Sequence, residues 1–271
     1  MQILGNIFSA VIFVSIIGSL FTVLSLFVNC ILRCTLPLWF SVCGMILFFV
    51  PILSPEVILV SPEAQDWLNG FRIAAIIWLC GLCILSACAM IRFMLGKRAV
   101  KNYRFCRDER INLLYYQCAK AMSLQKVPVL YFGALDNPIC VTDIVRPAII
   151  MNETIVKQLS DKDLAVVFSH ELTHVKRKHI LLERIYAYVC ILNWINPFSW
   201  IAKENFSLHC ETDCDLSAMK ILQGKVTETE YASAIIRLLE LSAENTVGGV
   251  ANAKNGIGAL DFLLTKRSRI L

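Results

Sequence analysis

The chain is short of charge. Asp, Glu, Lys and Arg make up 17% of its 271 residues against 57% apolar residues, and the mean hydropathy is +0.62. A water-soluble globular domain carries about 25% charged residues, so this composition argues against an ordinary soluble protein. Residues 1–32 contain no charged side chain. They therefore lack the basic start of a signal peptide, and no small-residue cleavage site follows a short apolar core. Residues 54–70 lack Lys and Arg altogether. Histidine is scarce as well, with four in the chain, so any clustering of histidines carries information. The net charge of +5 is modest and matters through its placement rather than its size.

Cysteine is plentiful, with twelve residues, yet their positions argue against a disulfide framework. Cys30, Cys34, Cys43, Cys80, Cys83, Cys88 and Cys190 lie in or beside apolar runs, where a thiol behaves as a small hydrophobe. Cys106, Cys118, Cys140, Cys210 and Cys214 fall in segments expected in the cytosol, where thiols stay reduced. Cys80-x-x-Cys83 lacks the βαβ setting of a redox motif. No structural disulfide is expected.

Three uncharged runs, 1–32, 34–55 and 73–91, are long enough for membrane spans, which need about 20 apolar residues. Seven basic residues stand between Arg92 and Arg110 against Asp108 and Glu109, whereas 54–70 carries Glu56, Glu63 and Asp66. The positive-inside rule then puts the N-terminus and the 54–70 loop outside and the chain after Arg92 in the cytosol. A fourth run, 185–202, contains Asn193, Asn196 and Pro197. It is expected to form a membrane-embedded or membrane-docked helix over 183–202, its polar groups packed against protein or water.

Between these hydrophobic parts the period changes. Residues 97–126 read as helix, with Leu113, Leu114, Cys118 and Met122 at helical spacing. Residues 127–132 and 139–150 are rich in Val and Ile and punctuated by Gly133, Pro138 and Pro147, which predicts short strands. Ser160, Asp161 and Asp163 then supply an N-cap and an acidic first turn for a helix over 164–176.

That helix carries His170-Glu171-Leu172-Thr173-His174. Residues four apart share a helical face, so both imidazoles reach one ion, and Glu171 beside them can take a proton from water. Two histidines and a glutamate at this spacing, in a chain with four histidines, make chance an unattractive explanation. Arg177 and Ile180 stand where a metzincin needs Gly and His, which excludes that subclass. Glu211 is the favoured third ligand, with Glu204 a weaker candidate. Asp215 lies on the same face of a helix predicted over 203–222, placed to accept a hydrogen bond from a ligand histidine. His179 is expected at the surface or behind the ligands. A rival set, His209, Cys210 and Cys214, would make a structural zinc site but lacks a fourth soft ligand at suitable spacing.

The sequence resembles the BlaR/MecR-type membrane metallopeptidases, the β-lactam sensor-transducer class. His170 to His179 resembles their active-site helix, Asn196-Pro197-Phe198-Ser199-Trp200 their Asn-Pro-x-x-Trp step, and Glu211-Thr212-Asp213-Cys214-Asp215 their Glu-x-x-Cys-Asp motif. The resemblance implies three leading spans, a cytosol-facing gluzincin domain and a zinc ion held in part by Glu211. It also implies inward signalling that ends in clearance of a cytosolic repressor. Two departures stand out. His179 occupies a position where the family more often has Asp, and 266–271 ends the sequence where the family continues into a last span and an extracellular sensor. A truncated or sensorless member is expected, so a β-lactam-binding role does not carry over.

Residues 227–230 fit a capping box that opens a helix with Tyr231, Ile235, Leu238 and Leu239 on one side, and 245–259 holds four glycines and reads as a linker, or as a loop that enters the protease's own cleft. The expected architecture is a mostly α membrane protein: a multi-span helical bundle with a cytosol-facing gluzincin-type α+β zinc metallopeptidase domain. Its parts are three transmembrane helices over 1–96, the peptidase domain over 97–224, and a C-terminal helix, loop and basic end over 225–271. The expected function is a regulatory membrane zinc metalloendopeptidase acting on a cytosolic or juxtamembrane protein, such as a transcriptional repressor in antibiotic-resistance or stress signalling. Two alternatives stand beside it, a quality-control or prenyl-processing protease of HtpX or CAAX-protease type, and a non-catalytic transducer that Glu171 argues against. The expected partners are the lipid bilayer and a protein substrate; a homodimer is left open, and direct nucleic acid binding is not expected.

Overall fold

A computed structural model of the chain describes residues 2–32, 38–48, 72–100, 103–133, 138–142 and 147–247. The fold is mostly helical and divides into two compact units. The first comprises residues 1–96 and 182–210, and the second 97–181 and 211–271.

The first unit contains α1 (Gln2–Leu32), α2 (Leu38–Leu47), α3 (Arg72–Val100) as far as Gly96, and the apolar ends of two later helices, α7 (His179–Leu192) and α8 (Pro197–Ile221). By length and composition two stretches, Ala10–Asn29 and Ile73–Gly96, can cross a membrane. The described part of the expected span over 34–55 is the short apolar helix α2; the rest of it, and the 54–70 loop, lie outside the described residues. Glycine lets α1 and α2 approach closely: a Cβ on Gly18 would strike the Phe48 ring, and one on Gly44 would strike the Phe21 ring. Small residues at such a crossing allow the backbone contact that packing in an apolar medium depends on.

The single helix expected over 183–202 is instead two. The chain leaves α7 at Leu192, turns through 193–196 and begins α8 at Pro197. Pro197 offers no backbone N–H and disfavours helical geometry at Asn196, but suits the first position of a new helix. Asn196 caps that helix by accepting from the Phe198 backbone N–H at 3.0 Å. Its amide nitrogen donates to Ser15 Oγ at 2.6 Å and Ser19 Oγ at 2.8 Å on α1. Nearby, the indole N–H of Trp78 donates to the Leu192 carbonyl and that of Trp194 to the Trp78 carbonyl. The Asn-Pro step therefore ends one helix, starts the next and satisfies polar groups among apolar ones.

The second unit holds a four-stranded sheet in the order β1-β2-β4-β3. Its strands are β1 (Arg104–Phe105), β2 (Val129–Phe132), β3 (Ile139–Thr142) and β4 (Ala148–Met151). β2 and β4 run parallel, and the edge strands β1 and β3 run antiparallel to their neighbours. β4 is buried at all four positions, as expected for an interior strand. The continuous helix expected over 97–126 is interrupted: α3 ends at Val100, β1 pairs with β2, and α4 (Glu109–Ala121) starts afresh. Asp108 accepts from the Ile111 N–H and caps α4, a local signal outweighed in the sequence by helical periodicity.

Against this sheet pack α4, the short α5 (Glu153–Val156) and α6 (Asp161–Arg177). Their shared core includes Ile111, Tyr115, Ile149, Met151, Ile155, Leu164, Phe168 and Leu172, all nearly inaccessible. Tyr115 and Phe168 meet edge to face, with centroids 5.3 Å apart. A second cluster joins Val166 to Ala218, Leu222, Tyr231 and Ala234, so α6 is also packed by the end of α8 and by α9 (Glu228–Val247). Residues 245–247 of the expected glycine-rich linker belong to α9; the remainder lies outside the described residues.

Candidate metal centre

α6 is a well-delimited helix. Ser160 accepts from the Asp163 N–H while Asp163 accepts from the Ser160 N–H, a reciprocal capping box. Leu164, Phe168 and Leu172 face the sheet core and Val166 faces α9, which leaves His170, Glu171 and His174 half-buried on the remaining side. The helix then stops at Lys178, whose φ of 57° and ψ of 34° are left-handed. A non-glycine residue there costs on the order of 1 kcal/mol, so the surrounding contacts must hold it.

α8 brings Glu211 and Asp215 to the two histidines. His170 Nε2 and His174 Nε2 are 3.3 Å apart. Glu211 Oε2 lies 3.4 Å from His170 Nε2, and Glu211 Oε1 lies 3.6 Å from His174 Nε2. Donors at about 2.0–2.2 Å from a tetrahedral ion stand roughly 3.3–3.6 Å apart, so these three residues fit a single zinc-sized divalent metal. Asp215 Oδ1 accepts from His170 Nδ1 at 3.0 Å, which directs the other ring nitrogen toward the shared point.

Electrostatics separate the two histidines. Burial alone would depress His170, but Asp215 and Glu211 outweigh it and lift the imidazole to about 10. His174 is pulled down to about 4 by burial and by the neighbouring His170 charge. Two ring nitrogens this close cannot both carry protons, and the carboxylates decide which one does. Burial, assisted by the Glu211 charge and opposed by His170, raises Glu171 to about 7. That value suits a group that must accept a proton and return it near neutral pH.

Residues 57–258 match the profile of the BlaR1 peptidase M56 family. The chain belongs to that family. It is 27% identical over 130 residues to the methicillin resistance mecR1 protein of Staphylococcus aureus, a match covering 47% of this chain and 22% of that protein. The same figures hold for the protein of that name from Staphylococcus epidermidis. It is 22% identical over 165 residues to the regulatory protein BlaR1 of Bacillus licheniformis, covering 61% of this chain and 27% of that protein. The alignments thus span about a quarter of the length of these curated relatives. The BlaR/MecR resemblance is a family relationship, and membership in a peptidase M56 family implies a metal.

Around these residues the structure decides between the two positions expected for His179. His179 is buried, with its Nδ1 3.3 Å from His174 Nδ1 and 3.4 Å from Cys214 Sγ. The left-handed turn at Lys178 swings it there, which a continuous helical wheel cannot do. Asp213 Oδ2 lies 3.6 Å from His179 Nε2 and 3.4 Å from Arg177 Nε, so a carboxylate stands one step behind this histidine. Donor atoms of His170, His174 and Cys214 also fall within 4.8 Å of one another. The thiol, however, also pairs with His179 Nδ1 at 3.4 Å, whereas the Glu211 oxygens lie 3.4 and 3.6 Å from the two Nε2 atoms. His209 and Cys210 belong to the first unit, where His209 Nδ1 meets Ser41 Oγ. Glu204 lies in that unit as well.

Proposed function

We propose that this chain is a membrane-embedded zinc metalloendopeptidase of gluzincin type, in which His170, His174 and Glu211 hold the metal and Glu171 is the catalytic base. The observation that carries this reading is the convergence of His170 Nε2, His174 Nε2 and the Glu211 carboxylate at 3.3–3.6 Å. When bound there, zinc supplies Lewis acidity to the scissile carbonyl and to an attacking water. Glu171 takes the proton released by that water and returns it to the leaving amine. Asp215 holds His170 in the tautomer that presents Nε2.

β3 is an edge strand packed beside α6, and the Cys140 thiol on it is pushed up to about 11 by burial and by the Glu171 charge. An extended segment adding to that edge would place its backbone next to Glu171. The substrate we assign is therefore a flexible stretch of a cytosolic or juxtamembrane protein, such as the linker of a dimeric DNA-binding repressor. The wider organisation is three spans over 1–96, the peptidase over 97–224 and the C-terminal part after 225, with the N-terminus outside and His170 facing the cytosol. The basic run between Arg92 and Arg110 supports this orientation.

Cysteine introduced at Ala64 should react with impermeant reagents on intact cells, and cysteine at Asn102 should not. External labelling at Asn102 would remove cytosolic proteins from the substrate range. Expressed with its genomic neighbours, the wild-type chain should cause loss of a co-encoded repressor that the Glu171→Gln chain leaves intact. Equal decay with both would move the reading to general membrane quality control.

A further inference from the structure

Tyr231 reads in the sequence as one apolar position on a C-terminal helix. In the structure its ring is buried with Val166, Ala218, Leu222 and Ala234, where α9 packs on α6. Its hydroxyl has a different environment. It donates to Asp215 Oδ1 at 2.7 Å and lies 3.5 Å from His170 Nδ1, and the same Asp215 oxygen receives His170 Nδ1 at 3.0 Å. The carboxylate oxygen thus accepts from a phenol on one side and an imidazole on the other.

We propose that Tyr231 is a positioning residue for the metal centre, its hydroxyl locking Asp215 in the orientation that fixes His170. The inference rests on the assignment of His170 as a metal ligand. An ionised carboxylate can only accept, so with the Tyr231 O–H and the His170 Nδ1–H both donating to Oδ1, Nε2 is the nitrogen whose proton an incoming metal would displace. Without the phenol, Asp215 loses one of the contacts that orient Oδ1, and the tautomer with hydrogen on Nε2, which cannot bind a metal, becomes more accessible.

The position of Tyr231 gives this contact a second consequence. Its helix opens with a capping box in which Glu230 accepts from the Thr227 N–H and Thr227 accepts from the Glu230 N–H. The same Glu230 pairs with Lys162 at 2.7 Å, and Arg237 pairs with Asp163 at 3.3 Å. Both partners lie in the first turn of α6, and Asp163 is also a member of its capping box. α9 is therefore fastened to the start of the histidine-bearing helix while Tyr231 reaches the first histidine.

Tyr231→Phe keeps the ring and removes only that hydroxyl. In the full chain purified in detergent, zinc affinity measured by chelator competition should weaken about 10- to 100-fold, as for loss of other groups that orient a ligand histidine. The melting temperature of the metal-free protein should stay near that of the wild type, because the packing is retained. Nitrogen-15 spectra of labelled histidine should show the His170 tautomer shifting away from Nδ1–H. In an Asp215→Asn background the further change to Phe should have little additional effect. Unchanged zinc affinity in Tyr231→Phe, or an equal loss with and without the Asp215 carboxylate, overturns the inference. Normal zinc binding by His170→Ala would instead remove the metal assignment on which it rests.

Discussion

Glu171→Gln should lower peptide hydrolysis by about a thousand-fold or more while the purified protein keeps its zinc. Glutamine has nearly the same shape as glutamate and a carbonyl that can still accept a hydrogen bond, but it cannot take a proton from water. Glu171 stands on α6 between the two histidines without being one of the three donors that converge, so the metal site should survive the change. The carboxyl is held at about 7 by burial first and by Glu211 second, against the opposing charge of His170. A group so placed acts on protons, and its loss belongs in kcat rather than in metal content or KM. The measurement is zinc content by elemental analysis alongside cleavage of a quenched fluorescent peptide. Retained turnover in Glu171→Gln would remove the general-base assignment, and loss of zinc would make Glu171 a ligand.

Removal of a ligand should have the opposite pattern. His170→Ala, His174→Ala and Glu211→Ala should each weaken zinc binding by more than about 100-fold, since orienting groups alone account for 10- to 100-fold. Cys214→Ser is the discriminating control. Its thiol shares a 4.8 Å cluster with both histidines, so it could compete with Glu211 as third ligand. The Glu211 oxygens lie 3.4 and 3.6 Å from the two Nε2 atoms, while Cys214 Sγ pairs with His179 Nδ1 at 3.4 Å. Cys214→Ser should therefore keep zinc, and X-ray absorption should show nitrogen and oxygen neighbours near 2.0–2.2 Å. A sulfur neighbour near 2.3 Å, or full occupancy after Glu211→Ala, would transfer the third position away from Glu211.

Much of this protein could be read from residues a few positions apart. The pairing of His170 and His174 needs only helical periodicity, and the start of α6 needs only Ser160 and Asp163. Glu211 and Asp215 share a helix face for the same reason, and the structure sets that face beside His170. The two long apolar helices follow from runs without charge.

What required the tertiary structure was every feature that joins distant segments or overrides a local preference. The pairing of β1 with β2 breaks a stretch whose periodicity reads as helix, because cross-strand hydrogen bonds are invisible to a local pattern. Asn196 and Pro197 split what hydrophobicity alone makes continuous, and Ser15 and Ser19, far back in the chain, receive the freed amide. The left-handed turn at Lys178 places His179 against His174, where a wheel drawn through the whole segment puts it elsewhere. Tyr231 looks like core in the sequence, and its ring is core; only the packing of α9 on α6 brings the hydroxyl to Asp215. Local sequence determined which residues could bind a metal, because helix geometry is short-range. Long-range packing decided which side chains orient them, because those contacts exist only after the segments have met.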